Sequence, residues 1–149
     1  MKRNDNILYI TFPAIPENER ISRTIAAAFL ADMNPTVEEL DDVKTAVSEA
    51  VTNCIIHAYE SEERKNCFIE MECRKEGQML SVSITDKGKG IEDVELAMEP
   101  LYTTKADEER CGMGFSFMEA FMDYLHVLSE AGKGTKVIMK KKIGPLEKM

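Results

Sequence analysis

The chain has 149 residues, 44% hydrophobic and 31% charged, which suits one domain with a real core and excludes a disordered tail. With 27 acidic against 19 basic residues, the formal net charge is -8. That argues against a nucleic-acid surface, which would carry a basic face, and an anion would have to be met by locally gathered positive groups or a cation.

Ile7–Phe12 reads as a first strand, closed by Pro13 and Pro16. From Glu17 to Met33, apolar residues at Ile21, Ile25, Ala28 and Phe29 form a helical stripe that Asn34-Pro35 breaks. Thr36 with Glu39 is a capping-box signature. It opens a second helix over Val37–Tyr59, with Leu40, Val43, Val47, Ala50, Val51, Cys54, Ile55 and Ala58 on its core stripe. Glu60–Asn66 is a charged turn. Strands follow over Cys67–Arg74 and Met79–Thr85, hinged at Glu76-Gly77-Gln78. Next come a glycine-rich turn, Asp86-Lys87-Gly88-Lys89-Gly90, and a weakly periodic stretch from Ile91 to Cys111 with a helical hint at Asp93–Met98. Gly112-Met113-Gly114 leads into an apolar helix over Phe115–Tyr124. A last hairpin pairs Leu125–Glu130 with Thr135–Lys141, and the lysine-rich tail, above all residues 142–149, reads as frayed. The order β-α-α-β-β-loop-α-β-β predicts one α+β domain over residues 1–149. Its architecture would be a two-layer sandwich, a mixed, mostly antiparallel sheet with helices on one face.

No apolar run approaches the roughly 18 residues of a membrane span, and the N-terminus meets Asp5 and Asn6 too early for a signal peptide. Cys54, Cys67, Cys73 and Cys111 form no C-x-x-C pair. They read as reduced, packed thiols of a cytoplasmic protein.

The glycine pairs Gly88/Gly90 and Gly112/Gly114 fit neither a P-loop nor a dinucleotide fingerprint, and Gly132-Lys133-Gly134-Thr135 has the wrong spacing and lies between strands. Glu49 and Asn53, at i and i+4, share one helix face, expected half-buried on the rim between core and solvent. The carboxamide is a fitting Mg²⁺ ligand and the carboxylate beside it a fitting general base. Taken alone, the pair reads rather as ordinary helix-surface polarity. His57, one turn on, reads as a core or cap histidine, with no second histidine nearby on its helix. Glu19 and Arg23 form an i, i+4 ion pair on the first helix, by default a solvated one.

Glu49-Ala-Val-Thr-Asn53, Asp86-Lys-Gly88-Lys-Gly90-Ile91 and Gly112-Met-Gly114-Phe115, in that order, resemble the three nucleotide boxes of the GHKL (Bergerat) ATPases. Together with Pro100-Leu-Tyr-Thr-Thr-Lys105 and Arg110-Cys-Gly-Met-Gly-Phe115, they are similar to the anti-sigma factor serine kinases, in particular the sporulation members. The similarity runs from about Asn6 to Lys141. The resemblance implies a protein that binds ATP or ADP with Mg²⁺, binds and inhibits an RNA polymerase sigma factor, and phosphorylates a serine of an anti-anti-sigma protein. It also implies a homodimer built on the first strand and helix.

By the same resemblance, Asp86 would accept a hydrogen bond from the adenine amino group, with Gly88, Gly90 and Ile91 beside the base. Glu49 would activate the serine hydroxyl and Asn53 would hold Mg²⁺. Gly112, Met113, Gly114 and Phe115 would meet the phosphates at a helix start. Thr104, Lys105 and Arg110 would belong to a charged lid whose closure depends on salt, Arg110 steadying the transferring phosphoryl group. Thr135 would add a hydroxyl, and Glu19 and Arg23 would lie on the sigma-binding surface. Two other readings stay open: the ATPase domain of a histidine kinase, and a nucleotide-regulated binding module without phosphoryl transfer. Lys87, Lys89 and Cys111 have no assigned role.

Overall fold

A computed structural model describes residues 5–59, 66–99 and 114–145. Strand β1 (Asn6–Pro13) leads through a turn into α1 (Pro16–Leu30), which starts on a proline, a residue whose missing N–H costs nothing at the first helical position. A single 3₁₀ turn, Ala31–Met33, ends that segment, so the regular helix stops before the predicted Met33. The capping box forms: Thr36 Oγ1 accepts from the Glu39 amide at 3.0 Å, and Glu39 Oε1 accepts from the Thr36 amide at 2.8 Å. Helix α2 then runs over Val37–Asn53 and widens into one π turn, Cys54–Ala58.

Strands β2 (Phe68–Glu76) and β3 (Met79–Asp86) form the expected hairpin. Helix α3 is a short turn, Val94–Ala97, whose N-cap Asp93 accepts from the Leu96 amide at 3.0 Å. Helix α4 (Gly114–Phe121) is shorter than predicted, because Tyr124 already begins β4 (Tyr124–Glu130), which pairs with β5 (Gly134–Lys142). The sheet order is β1-β2-β3-β5-β4, with every pairing antiparallel.

The strands alternate as a half-covered sheet must. Ile69, Met71, Cys73, Leu80, Val82, Ile84, Val137 and Met139 face the helices and are buried. Glu70, Glu72, Ser81, Ser83, Lys136 and Lys140 occupy the opposite register and remain at least partly exposed. Helix α2 lies at the centre of the helical layer, packed against both α1 and α4, and sends Val43, Val47 and Val51 into the core. Two charges break the inward pattern: Asp86 at the end of β3, and Lys75, which is buried, paired with Asp32 and set over the Phe29 ring at 5.3 Å.

The fraying expected of the tail fails for its first residues. Lys142 still belongs to β5, Ile143 is fully buried, its amide donates to the Gln78 carbonyl at 2.8 Å, and the Gly144 amide reaches Glu39 Oε1 at 3.2 Å. An apolar residue after a run of lysines supplies a core anchor that the charge run hides. Residues 146–149, the charged turn at 60–65 and residues 100–113 lie outside the described residues. Among the described residues, no helix is long and apolar enough to cross a membrane.

Candidate functional site

Three segments far apart in sequence converge at the C-terminal end of α2. The first is α2 itself. Glu49 is buried rather than on the rim, only 6% exposed, while Asn53, one turn on, is half-buried. Helix α4 packs against α2, and a Cβ added to Gly114 would lie 3.0 Å from Asn53 Nδ2 and 3.1 Å from Asn53 Oδ1. The start of α4 therefore meets the Asn53 carboxamide closely, and a helix start presents amide N–H groups with no intrahelical partner.

The second segment is the turn after β3. Asp86 ends the strand on its inward-facing register and is buried. Its Oδ1 accepts from the Gly88 amide at 2.9 Å, and its Oδ2 lies 3.4 Å from the Cys54 thiol, which donates to it. The wide π turn leaves the Ala58 carbonyl free to accept from the Lys89 amide at 3.1 Å. Gly88 packs so closely on Ala58 that an added Cβ would stand 2.7 Å from the Ala58 Cβ. Tyr59 locks the same turn from below: its hydroxyl accepts from the Lys87 amide at 2.6 Å and donates to the Phe68 carbonyl at 2.8 Å. Burial pushes that phenol up to about 12, so it stays neutral and able to donate.

The third segment is the β4–β5 hairpin. Thr135 pairs with Asp86 across the sheet, and its hydroxyl lies 2.7 Å from Ser129 Oγ. Ser129 accepts from the Ile91 amide at 2.8 Å and donates to the Gly134 carbonyl at 3.0 Å. The Gly132 amide donates to the Lys89 carbonyl at 2.6 Å. Sequence reasoning singled out Thr135 and Ile91 but missed Ser129, which joins them. Its only signal was period: with Leu125 and Val127 facing inward, Ser129 is the next inward position of β4.

Burial, above all, raises the Asp86 carboxyl above its ordinary range, and the Gly88 amide, the Cys54 thiol and the Thr135 backbone pull it partway back. A carboxyl with a raised folded-state pKa contributes stability that is complete below the unfolded value and lost as pH rises through the folded value. Once ionised, Asp86 therefore opposes folding, and a buried carboxyl perturbed in this way is a candidate functional group.

Of the remaining predicted residues, Phe115 is buried in the core behind the start of α4. His57 is half-buried within the π turn. Glu19 and Arg23 form their ion pair at 3.5 Å on α1, apart from this cluster, and Glu19 also accepts from the Ser48 hydroxyl of α2. Thr104, Lys105, Arg110, Gly112 and Met113, with Cys111, lie outside the described residues. A depression lined by Tyr59, Asn66, Cys67, Phe68, Glu70, Thr85 and Lys87 contains none of the predicted site residues.

The donor set at the end of α2 fits a hard cation: a neutral carboxamide oxygen with a buried carboxylate one turn away, a set that leaves most of the coordination to water and phosphate. Among the described residues, no group of three or more His, Cys, Asp or Glu stands close enough to hold a metal.

Comparison with known proteins agrees with this arrangement. Residues 12–141 match the histidine kinase-like ATPase domain family. The chain is 53% identical over 139 residues to an anti-sigma F factor of Clostridium beijerinckii, covering 93% of this chain and 96% of that protein. It is 54% identical over 140 residues to an anti-sigma F factor of Clostridium perfringens, covering 93% and 98%. Among solved structures, the RsbU and RsbW domains of a Mycobacterium tuberculosis protein superpose with a TM-score of 0.64 at 20% identity, over 93% of this chain and 32% of that one. The catalytic domain of the histidine kinase ThkA superposes with 0.57 at 16% identity, over 91% and 96%. These two establish the shared fold. With its ATPase-type architecture and its half-identical, near full-length relatives, the chain belongs to the anti-sigma F factor family of histidine kinase-like ATPase domains.

Proposed function

We propose that this protein is an ATP-dependent protein serine kinase that also binds and inhibits a sigma factor, the whole chain acting as one domain. The observation that carries the catalytic part is the meeting of Asn53, the Asp86–Ile91 turn and Gly114 at one end of α2. The names of the half-identical relatives support the sigma-binding part.

In this reading Asp86 accepts from the adenine amino group. An ionised carboxylate only accepts, so it favours adenine over guanine, which presents a carbonyl there. Gly88, Gly90, Ile91 and Thr135 form the floor under the base and ribose. The phosphates rest on the start of α4, at Gly112, Met113, Gly114 and Phe115, with Thr104 and Lys105 closing over them. Asn53 holds Mg²⁺ through its amide oxygen, and the ion when bound neutralises phosphate charge. Glu49 takes the proton of the incoming serine hydroxyl as its oxygen bonds to the γ-phosphorus. The bond to the β–γ bridging oxygen breaks and ADP leaves, with Arg110 stabilising the charge on the transferring group.

The acceptor is a serine of an anti-anti-sigma protein. Glu19 and Arg23 on α1 contribute to the sigma-binding surface, where opposite charges confer specificity. The protein works as a homodimer through β1 and α1. Support comes from the exposure of Ile7, Tyr9 and Ile21, 48%, 58% and 39%, on an edge strand and the helix that follows it.

Incubation with labelled ATP and a candidate anti-anti-sigma protein tests the reading. Wild type should place label on a serine, whereas Glu49→Ala should transfer none while binding nucleotide within a few fold of wild type. Label on a histidine would favour a histidine kinase, and tight partner binding without transfer would favour a binding module. Undiminished transfer by Glu49→Ala would remove that residue from its role.

A further inference from the structure

Asp86 is held on both carboxylate oxygens, by the Gly88 and Thr135 backbones and by one side chain, Cys54. Gly88 supplies the amide on Oδ1 at 2.9 Å; Cys54 supplies the thiol on Oδ2 at 3.4 Å. Both side chains are buried, Cys54 at 4% and Asp86 at 6% exposure. The terminal torsion of an aspartate is broad and turns easily, so a single donor on one oxygen leaves the other to swing. Each ionised carboxylate oxygen has room for two donors; the Gly88 amide, the Thr135 backbone and the Cys54 thiol together set the plane and still leave a lone pair for a ligand.

We infer that Cys54 is a positioning residue for nucleotide recognition, its thiol fixing the Asp86 carboxylate in the orientation that meets the adenine amino group. The inference rests on the proposed role of Asp86. Tyr59, which also feels the Asp86 charge, is pushed up to about 12 by burial above all. It therefore stays neutral while Asp86 changes charge. The Cys54 hydrogen bond favours the ionised form of Asp86. Without it the carboxyl protonates at higher pH, and the acid limb of adenine-nucleotide binding moves to higher pH.

The test measures ADP and GDP affinity against pH for wild type, Cys54→Ala, Cys54→Ser and Asp86→Asn. Cys54→Ala should weaken ADP binding about fivefold, the worth of one ordinary hydrogen bond, lower the ADP-to-GDP preference and shift the acid limb upward. Cys54→Ser, which keeps a donor, should restore most of all three. If Cys54→Ala matches wild type, or if serine restores nothing and the limb stays fixed, the thiol merely fills space and the inference falls. If Asp86→Asn keeps its preference for ADP, the adenine role of Asp86 itself fails, whatever the Cys54 variants do. A reading independent of any variant's folding comes from the S–H stretching bands of wild type. One band should lie below the others and move on ADP addition, and bands that coincide and ignore ADP would equally overturn the inference.

Discussion

Two turns that contain glycine flank β3. At its start, Gly77 closes the β2–β3 hairpin with φ 58°, and a Cβ placed there would meet nothing within 4 Å. At its end, Gly90 has φ 74°, and a Cβ there would collide with the Glu130 carbonyl, while Gly88 is pressed against Ala58. Gly77 is needed only for its conformation. Gly88 is needed for room, and Gly90 for both conformation and room, because their turn is a joint between the end of α2 and the β4–β5 hairpin. A glycine-rich turn on which three elements close has the packing that a binding floor needs, and the contrast between these turns marks which one has it.

Alanine substitution exposes the difference most sharply. Gly77→Ala should cost only the left-handed backbone strain, about 1 kcal/mol. Gly90→Ala adds a collision with backbone that cannot rotate away, and about 3 kcal/mol or more is expected. For a chain of this length the latter corresponds to a fall in Tm of roughly 6–12 °C. Thermal melts of the two variants, with ADP titrations alongside, check this: Gly77→Ala should bind as wild type does and Gly90→Ala should not. Equal losses from both would mean that the second turn is no joint.

Much of this was legible beforehand, for reasons that also explain the gaps. Residues obeying a short-range rule were readable: the Thr36–Glu39 cap, the inward alternation of β2 and β3, the helical stripe of α2. The three boxes were readable because each is contiguous. What escaped depends on contacts between distant segments. The burial of Glu49 depends on tertiary packing around α2, invisible to a helical wheel. The hydroxyl bridge of Ser129, 38 residues from Ile91, obeys no spacing rule. Cys54 reads as one more apolar position of α2, and only the approach of Asp86 makes its S–H matter. Ile143 was hidden because lysines around it resemble a tail, yet β5 carries them through to a final core contact.

The contrast between packed joint and open surface extends to the polar residues. Asn53 lies at the joint, within close reach of the start of α4. Asn53→Ala should weaken ATP binding about tenfold or more when Mg²⁺ is present, the usual worth of a contact to a charged group, and change it little when Mg²⁺ is withheld. Nucleotide titrations in the two conditions decide the matter: an equal loss in both would show the carboxamide supporting α4 rather than the cation.

Glu19 stands at the other extreme. Its partners are Arg23, 3.5 Å away on the same helix with 40% of its side chain exposed, and the Ser48 hydroxyl on α2. An exposed i, i+4 pair is worth about 0.3–0.5 kcal/mol and one neutral-donor hydrogen bond about 1 kcal/mol. Glu19→Ala should therefore lower Tm by only about 2–6 °C and leave ADP affinity unchanged, since none of its partners lies in the nucleotide cluster. On the proposed sigma-binding role, its effect is expected in association instead. Removing one sign from a charged docking surface slows encounter and flattens the salt dependence of binding, so sigma-factor binding measured at low and high salt should lose most at low salt. A variant that melts and binds ADP as expected but associates with the sigma factor at the wild-type rate, with the wild-type salt slope, would confine Glu19 to bracing α1 against α2.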